Sequence, residues 1–151
     1  MTTLLDKPVP ETRTVSPEMR VVPYLSVDDG AAALDFYSQA FGAEVLERYD
    51  HEGKLGHAAL RINGGILMLA DEFPDPDQKI GNVSPKTLGH RTTSTINLNV
   101  DDADAWFERA LAAGAETLRP VTAEFFGRHG KLRDPFGHVW SVVALKRDAQ
   151  A

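Results

Sequence analysis

The stretch VDDGAAALDFYSQAFGAE, residues 27–44, returns later in the chain as VDDADAWFERALAAGAE, residues 100–116. Each copy opens on a pair of aspartates able to cap a helix, Asp28 or Asp29 in the first. Ala33, Leu34, Tyr37 and Phe41 then recur at helical spacing, and Gly42 supplies a stop. The second copy is one residue shorter and stops at Gly114.

The flanking sequence repeats as well. VVPYLSV before the first helix and TINLNV before the second are β-branched, apolar runs that read as strands. After the first helix, VLERYDH and GKLGHAALRI alternate about a turn at Glu52-Gly53; INGG makes another turn, and ILMLA reads as a buried strand. After the second come LRPVTAEFF, GKLRD and HVWSVVAL. Gly42-Ala43-Glu44 matches Gly114-Ala115-Glu116, Gly53-Lys54-Leu55 matches Gly130-Lys131-Leu132, and Gly64 before ILML matches Gly137 before VWSV. A short unit unable to close its own core must pack against its copy. The expected fold is α+β, with two tandem βαβββ repeats forming a cupped, mostly antiparallel sheet around one pocket.

The expected organisation has a Pro- and Thr-rich arm over 1–19, a first unit over 20–72, a linker or lid over 73–92, a second unit over 93–146, and a tail over 147–151. A linker this long suits either a pocket wall or a solvated tether. In the second unit, Asp134-Pro135-Phe136-Gly137 sets a sharp turn, with Arg133 and Asp134 expected to pair with each other or cap it.

The 151-residue chain is 42% hydrophobic and 25% charged, as ordinary globular domains are. Its net charge of −6 argues against nucleic acid as a partner. The absence of cysteine excludes disulfides, thiolate catalysis and Cys-based zinc sites. The N-terminus has no apolar signal-like core, and no run has membrane-spanning length, so no membrane partner is expected and the cytoplasm is the expected compartment.

With V-D-D-x-x-x-A-x-x-F-Y-x-x-A-F-G-A-E in the first half and L-R-D-P-F-G-H-x-W in the second, the sequence resembles the vicinal oxygen chelate superfamily over about residues 20 to 146. That superfamily includes glyoxalase I, bleomycin-resistance proteins and extradiol dioxygenases, and the chain looks closest to its PhnB-like, metal-less branch. The resemblance implies two cupped sheets lining one pocket. It also implies, for metal-using members, ligands on the first and last strands of each unit. Those positions are Val22 and Met68 in the first half and Thr95 and Ser141 in the second. None of these four residue types makes a divalent-metal site. No metal and no cofactor is therefore expected.

Strand alternation puts Tyr24, Ser26, Ile66 and Ala70 on the same face as the first pair, and Asn97, Asn99, Val139 and Val143 on the same face as the second. The candidate ligand-binding residues are Tyr24, His57, Met68, Phe73, Asn97, Phe125, His129 and Ser141. His57 could donate a hydrogen bond or act as acid–base, though it also suits a half-exposed strand position. Phe125 and Phe126, read as strand residues, would face opposite sides, one of them toward the ligand. His129 is read into the turn that follows. Glu72 and Phe73 follow the last strand of the first unit and could form the pocket rim, though Glu72 reads more readily as a strand-end, solvated acid.

The leading functional expectation is a metal-independent binder of a small organic molecule, aromatic or cationic, as in antibiotic-resistance relatives, working as a homodimer. The alternative is a lyase or isomerase acting on a small oxygenated substrate, with or without a non-standard metal site.

Overall fold

The computed structural model describes Val15, Met19 and residues 21–73 and 82–146. The expected arm and tail fall largely outside the described residues, as does the middle of the linker. The order is β1 (Tyr24–Val27), α1 (Gly30–Phe41), β2 (Glu44–His51), β3 (Lys54–Ile62), β4 (Gly65–Asp71), β5 (Thr95–Asn99), α2 (Ala103–Ala113), β6 (Glu116–Glu124), β7 (Gly127–Arg133) and β8 (Val139–Leu145). This is βαβββ twice, as the repeat predicts.

The strands form two four-stranded sheets, ordered β1-β4-β3-β2 and β5-β8-β7-β6. In each, the first strand lies parallel to the last and every other pairing is antiparallel. The parallel pair follows from chain direction, because an even number of reversals, four, separates the strand before each helix from the last strand of its unit. Among the described residues β1 and β5 are the edge strands of their sheets, and each unit forms its own sheet, as the two-cup reading expects.

Local chemistry explains the elements. Asp29, rather than Asp28, caps α1 by accepting from the Ala32 amide at 3.1 Å, and Asp102 does the same for α2 through Ala105. Gly42 ends α1 in the left-handed region at φ 64°, where a Cβ would be strained. The Glu52-Gly53 and Asn63-Gly64 turns both have positive φ at the two central residues, which suits tight hairpins.

Three details differ from the sequence reading. The GKL match is out of register: Lys54 opens β3 just after its turn, whereas Gly130 lies inside β7, opposite Val142. Packing demands Gly130 there, since a Cβ would come within 3.0 Å of both Val121 and Phe107 side chains. Phe125 and Phe126 form the β6–β7 turn instead of ending a strand, and His129 lies within β7 instead of the turn.

Both helices sit on one side, against each other and against both sheets. Leu25, Val27, Leu60, Leu67 and Leu69 from the first sheet and Leu132, Trp140 and Val142 from the second join Tyr37, Phe41 and Phe107 in a common core. Helix α1 reaches across to the second unit, with the Phe41 and Tyr37 rings 4.7 and 5.5 Å from the Trp140 ring. At that junction the buried Asp134 carboxylate accepts from the Tyr37 hydroxyl at 2.5 Å and from Trp140 Nε1 at 2.9 Å. Its other oxygen accepts from the Phe136 and His138 amides at 2.9 and 3.0 Å. Asp134 thus caps its turn, as one expectation had it. Arg133 donates to the Gly137 and His90 carbonyls and makes no pair with Asp134. His138 Nε2 donates to the Ser26 carbonyl at 2.8 Å, and Asn63 donates to the Asn99 carbonyl at 2.7 Å, so the seam is stitched from both sides.

In the first unit, buried Asp71 accepts from the Gly30 and Leu55 amides, both at 2.7 Å, and so pins the start of α1 to β3. Beyond it, Glu72 accepts from the hydroxyls of Ser84 and Thr87. Burial opposes its ionisation, but those bonds and nearby Lys54 outweigh that and lower its pKa. The sequence reading of Glu72 as a solvated acid is corrected: it anchors the far end of the linker, where Ser84 is fully buried. No helix among the described residues is long and apolar enough to cross a membrane.

Replacing Asp134 with Ala strands two buried donors and the turn amides, so urea unfolding should show a loss of about 3–5 kcal/mol. Tyr37→Phe, which removes one donor and leaves the turn intact, should cost about 1–3 kcal/mol.

Candidate functional site

The sheet faces turned away from the helices carry the polar chemistry. On the first sheet the helix-facing residues Leu25, Val27, Leu67 and Leu69 are buried, so Tyr24, Ser26, Met68 and Ala70 lie on the other face, where the sequence alternation puts them. On the second sheet Leu98, Trp140 and Val142 face the helices, leaving Asn97, Asn99, Ser141 and Val143 opposite. The shared helix layer and the stitched seam put both polar faces on the same side of the molecule.

On the first face three side chains form a chain. The Tyr24 hydroxyl lies 2.8 Å from His57 Nδ1, and His57 Nε2 lies 3.2 Å from Glu47 Oε2. The series runs inward, with Tyr24 51% exposed and the His57 and Glu47 side chains 14% and 5% exposed. The hairpin register makes it, since Tyr49 pairs with His57 and Glu47 with Ala59 in a regular stretch flanked by a bulge on either side. Tyr49 stacks on the His57 ring at 5.7 Å with planes 21° apart. Burial raises the Tyr24 phenol pKa.

The second face holds the corresponding positions with different chemistry. Met68 pairs with Tyr24 and Ala59, and Ser141 pairs with Asn97 and Lys131. The two units therefore equate Tyr24 with Asn97, His57 with His129, Ala59 with Lys131 and Glu47 with Arg119. His129 Nε2 lies 3.2 Å from Ser141 Oγ, and the Phe126 ring is 5.8 Å away. Burial lowers the His129 pKa, Arg119 and Lys131 lower it further, and Glu124 opposes them. Glu124 also accepts from Arg119 at 2.8 Å.

Of the residues predicted for ligand binding, Tyr24 and His57 are brought together, with Met68 on the strand between them. Ser141 and His129 form a second pair. Asn97 donates to Asn99 and, with Asn99, lines a cleft of about 240 Å³ at the seam, walled also by Ile66, Pro23 and Asn63. Phe73 lies elsewhere, against His51 at 5.7 Å with the Lys54 ammonium 4.8 Å from its ring centre. Phe125 projects from the β6–β7 turn, 92% exposed. Glu47 was missed by sequence reasoning. Its signal was present, because Glu47 and Tyr49 alternate on one strand and the Glu52-Gly53 turn brings that strand beside His57; only the bulge hides the register.

The metal-ligand positions do not fit a divalent cation. Met68 is a thioether, Ser141 is hydrogen-bonded to His129, and Val22 and Thr95 offer no imidazole or carboxylate. Among the described residues no three of His, Cys, Asp and Glu come together to hold a metal ion.

Residues 20–142 match the sequence model of the Glyoxalase/Bleomycin resistance protein/Dioxygenase superfamily. The chain is 46% identical over 136 residues to the protein Rv0887c of Mycobacterium tuberculosis, covering 87% of this chain and 78% of that one. Among solved structures it is similar to TioX from Micromonospora, at 28% identity and a TM-score of 0.64, covering 85% of this chain and 98% of that one. The fosfomycin resistance protein FosX of Listeria monocytogenes, at 18% identity and a TM-score of 0.62 over 83% of this chain and 92% of that one, shares the fold alone.

Because its folded pKa lies below the ordinary 6.5, His129 binds its proton less readily in the folded than in the unfolded chain. It therefore weakens the fold as pH falls through 6.5 toward the folded value. NMR titration should find the midpoint of this imidazole below 6.5, and Lys131→Ala should move that midpoint upward while burial still holds it down.

Proposed function

This chain belongs to the Glyoxalase/Bleomycin resistance protein/Dioxygenase superfamily, and we propose that it binds a small organic molecule on its polar sheet faces without a metal ion. One observation carries the reading. Val22, Met68, Thr95 and Ser141 stand where metal-using relatives would place ligands, while the space around them holds phenol, imidazole, amide and hydroxyl groups beside apolar side chains. A mostly apolar surface with a few fixed polar groups suits an organic ligand.

The ligand is an aromatic or cationic compound of antibiotic type. Tyr24 and Tyr49 offer ring faces for stacking, and the overall charge of −6 favours a cation. Working as a homodimer in the cytoplasm is part of this proposal. Val45 and Leu118 are exposed on the outer strands β2 and β6, which suits coverage by a second copy. A second reading, an enzyme of lyase or isomerase type acting on a small oxygenated substrate, draws on the Tyr24–His57–Glu47 chain, which has the parts of an acid–base system.

Metal analysis of the purified protein, paired with thermal shift in nickel, zinc, manganese and iron(II), should find no stoichiometric metal and no rise in Tm. Flat cationic drugs should raise Tm in proportion to log concentration. One metal per chain, with loss of stability on chelation, would overturn the metal-free reading.

A further inference from the structure

We infer that Tyr24, His57 and Glu47 form a proton relay in which the Tyr24 hydroxyl is the group that meets a substrate hydroxyl or a C–H next to a carbonyl. This rests on the reading of the first sheet's polar face as a ligand site, and it assigns that face a chemical task that simple binding does not need.

The hydrogen-bond logic runs inward from Glu47. An ionised carboxylate only accepts, so the contact with Glu47 requires the His57 Nε2 proton to lie between them. In the neutral ring Nδ1 then has a lone pair and no proton, and the Tyr24 hydroxyl must donate to it across 2.8 Å. The phenol proton is thereby directed inward, and the oxygen's lone pairs are left facing outward on a residue that is 51% exposed. Tyr24 Oη is an acceptor toward anything that docks there.

The proton step balances without a co-reactant. As a substrate X–H bond breaks, its proton passes to Tyr24 Oη, while the phenol's own proton passes to His57 Nδ1. The products are the substrate anion, an intact tyrosine and an imidazolium whose charge is paired with Glu47. The raised Tyr24 pKa suits this task, because the phenol keeps a proton to hand on instead of standing as a phenolate. The stack of Tyr49 on the imidazole holds the ring plane, and the buried Glu47 holds its tautomer. Tyr24 is the catalytic residue in this scheme; His57 and Glu47 act through it.

The second unit shows that the fold does not require this arrangement. Its equivalent positions carry Asn97, His129 and Arg119, and His129 there bonds to Ser141. A guanidinium in place of the carboxylate cannot accept from an imidazole, so that face has no relay.

A test independent of the natural substrate is acyl transfer from p-nitrophenyl acetate. A bond forms from Tyr24 Oη to the acetyl carbon, p-nitrophenolate leaves, and the phenol proton goes to His57. Peptide mass spectrometry of the full chain would follow acetylation of Tyr24 and Tyr49 against N-acetyltyrosinamide in the same solution. The relay predicts that Tyr24 acetylates at least tenfold faster than the free tyrosine amide, which exposure alone cannot achieve. His57→Gln and Glu47→Gln should each remove most of that excess over the free tyrosine amide. Long-range ¹H–¹⁵N spectra should show His57 as the Nε2–H tautomer, and Glu47→Gln should shift it away from that form. Tyr24 reacting no faster than the free amide in the wild-type protein, or a rate unaffected by His57→Gln, overturns the relay. The wild-type comparison needs no variant to fold. If drugs still raise Tm when Tyr24 is unreactive, the relay falls and the binding reading stands; a reactive Tyr24 with no ligand response gives the reverse.

Discussion

A buried carboxylate ties the two units together at the centre of the apolar core they share. Asp134 sits in a tight turn of the second unit, yet half of its hydrogen bonds are to side chains of the core, one of them on the helix of the first unit. Burying an ionised group is costly unless donors surround it, and here four do. Burial, reinforced by the Asp134 charge and hydrogen bond, pushes the Tyr37 hydroxyl pKa well above the ordinary phenol value, so this donor stays protonated. The cluster fixes α1 over Trp140, and with it the angle at which the two sheets meet.

The two units have one backbone plan and diverge in chemistry. Positions equivalent in register carry an imidazole in both units, with an acid, a phenol and a thioether around it in the first and cations, an amide and a hydroxyl in the second. Changes on these faces leave the helix-side core untouched, because alternation separates the two sets of side chains. A duplicated scaffold can therefore keep its apolar layer while its polar faces are altered independently. The family name alone decides no activity for this chain, since one fold hosts many functions and the side chains on these faces are the variable part.

The apolar and turn-forming residues made most of the fold legible. Asp29, Gly42, Asp102 and Gly114 cap the helices that periodicity predicts, and the Glu52-Gly53 turn sets its hairpin. The errors arose where text likeness outran register. GKL recurs as letters, but Gly130 is a packing requirement beneath Phe107 and Gly53 is a turn requirement. Phe125 and Phe126 carry strand propensity, yet the strand has ended and they turn the chain. Among the site candidates, Tyr24, His57 and Ser141 were readable from alternation, whereas His129 was read into a turn and lies in β7, and Phe73 was drawn to a lysine and a histidine at the end of the hairpin.

By itself the sequence determined the repeat, the element order, the helix caps and which face of each strand is polar. These depend on local chemistry and on periods of two and 3.6 residues, which are written along the chain. Tertiary structure decided which distant groups meet. Tyr24 and His57 are separated by 33 positions, and Tyr37 and Asp134 by 97. The β1-β4-β3 strand order, a helix crossing to the neighbouring unit and a buried charge set those meetings, and none of them has a periodic signal. Local preferences specify the elements, but only the packing of one unit on the other specifies which of their side chains share a hydrogen bond.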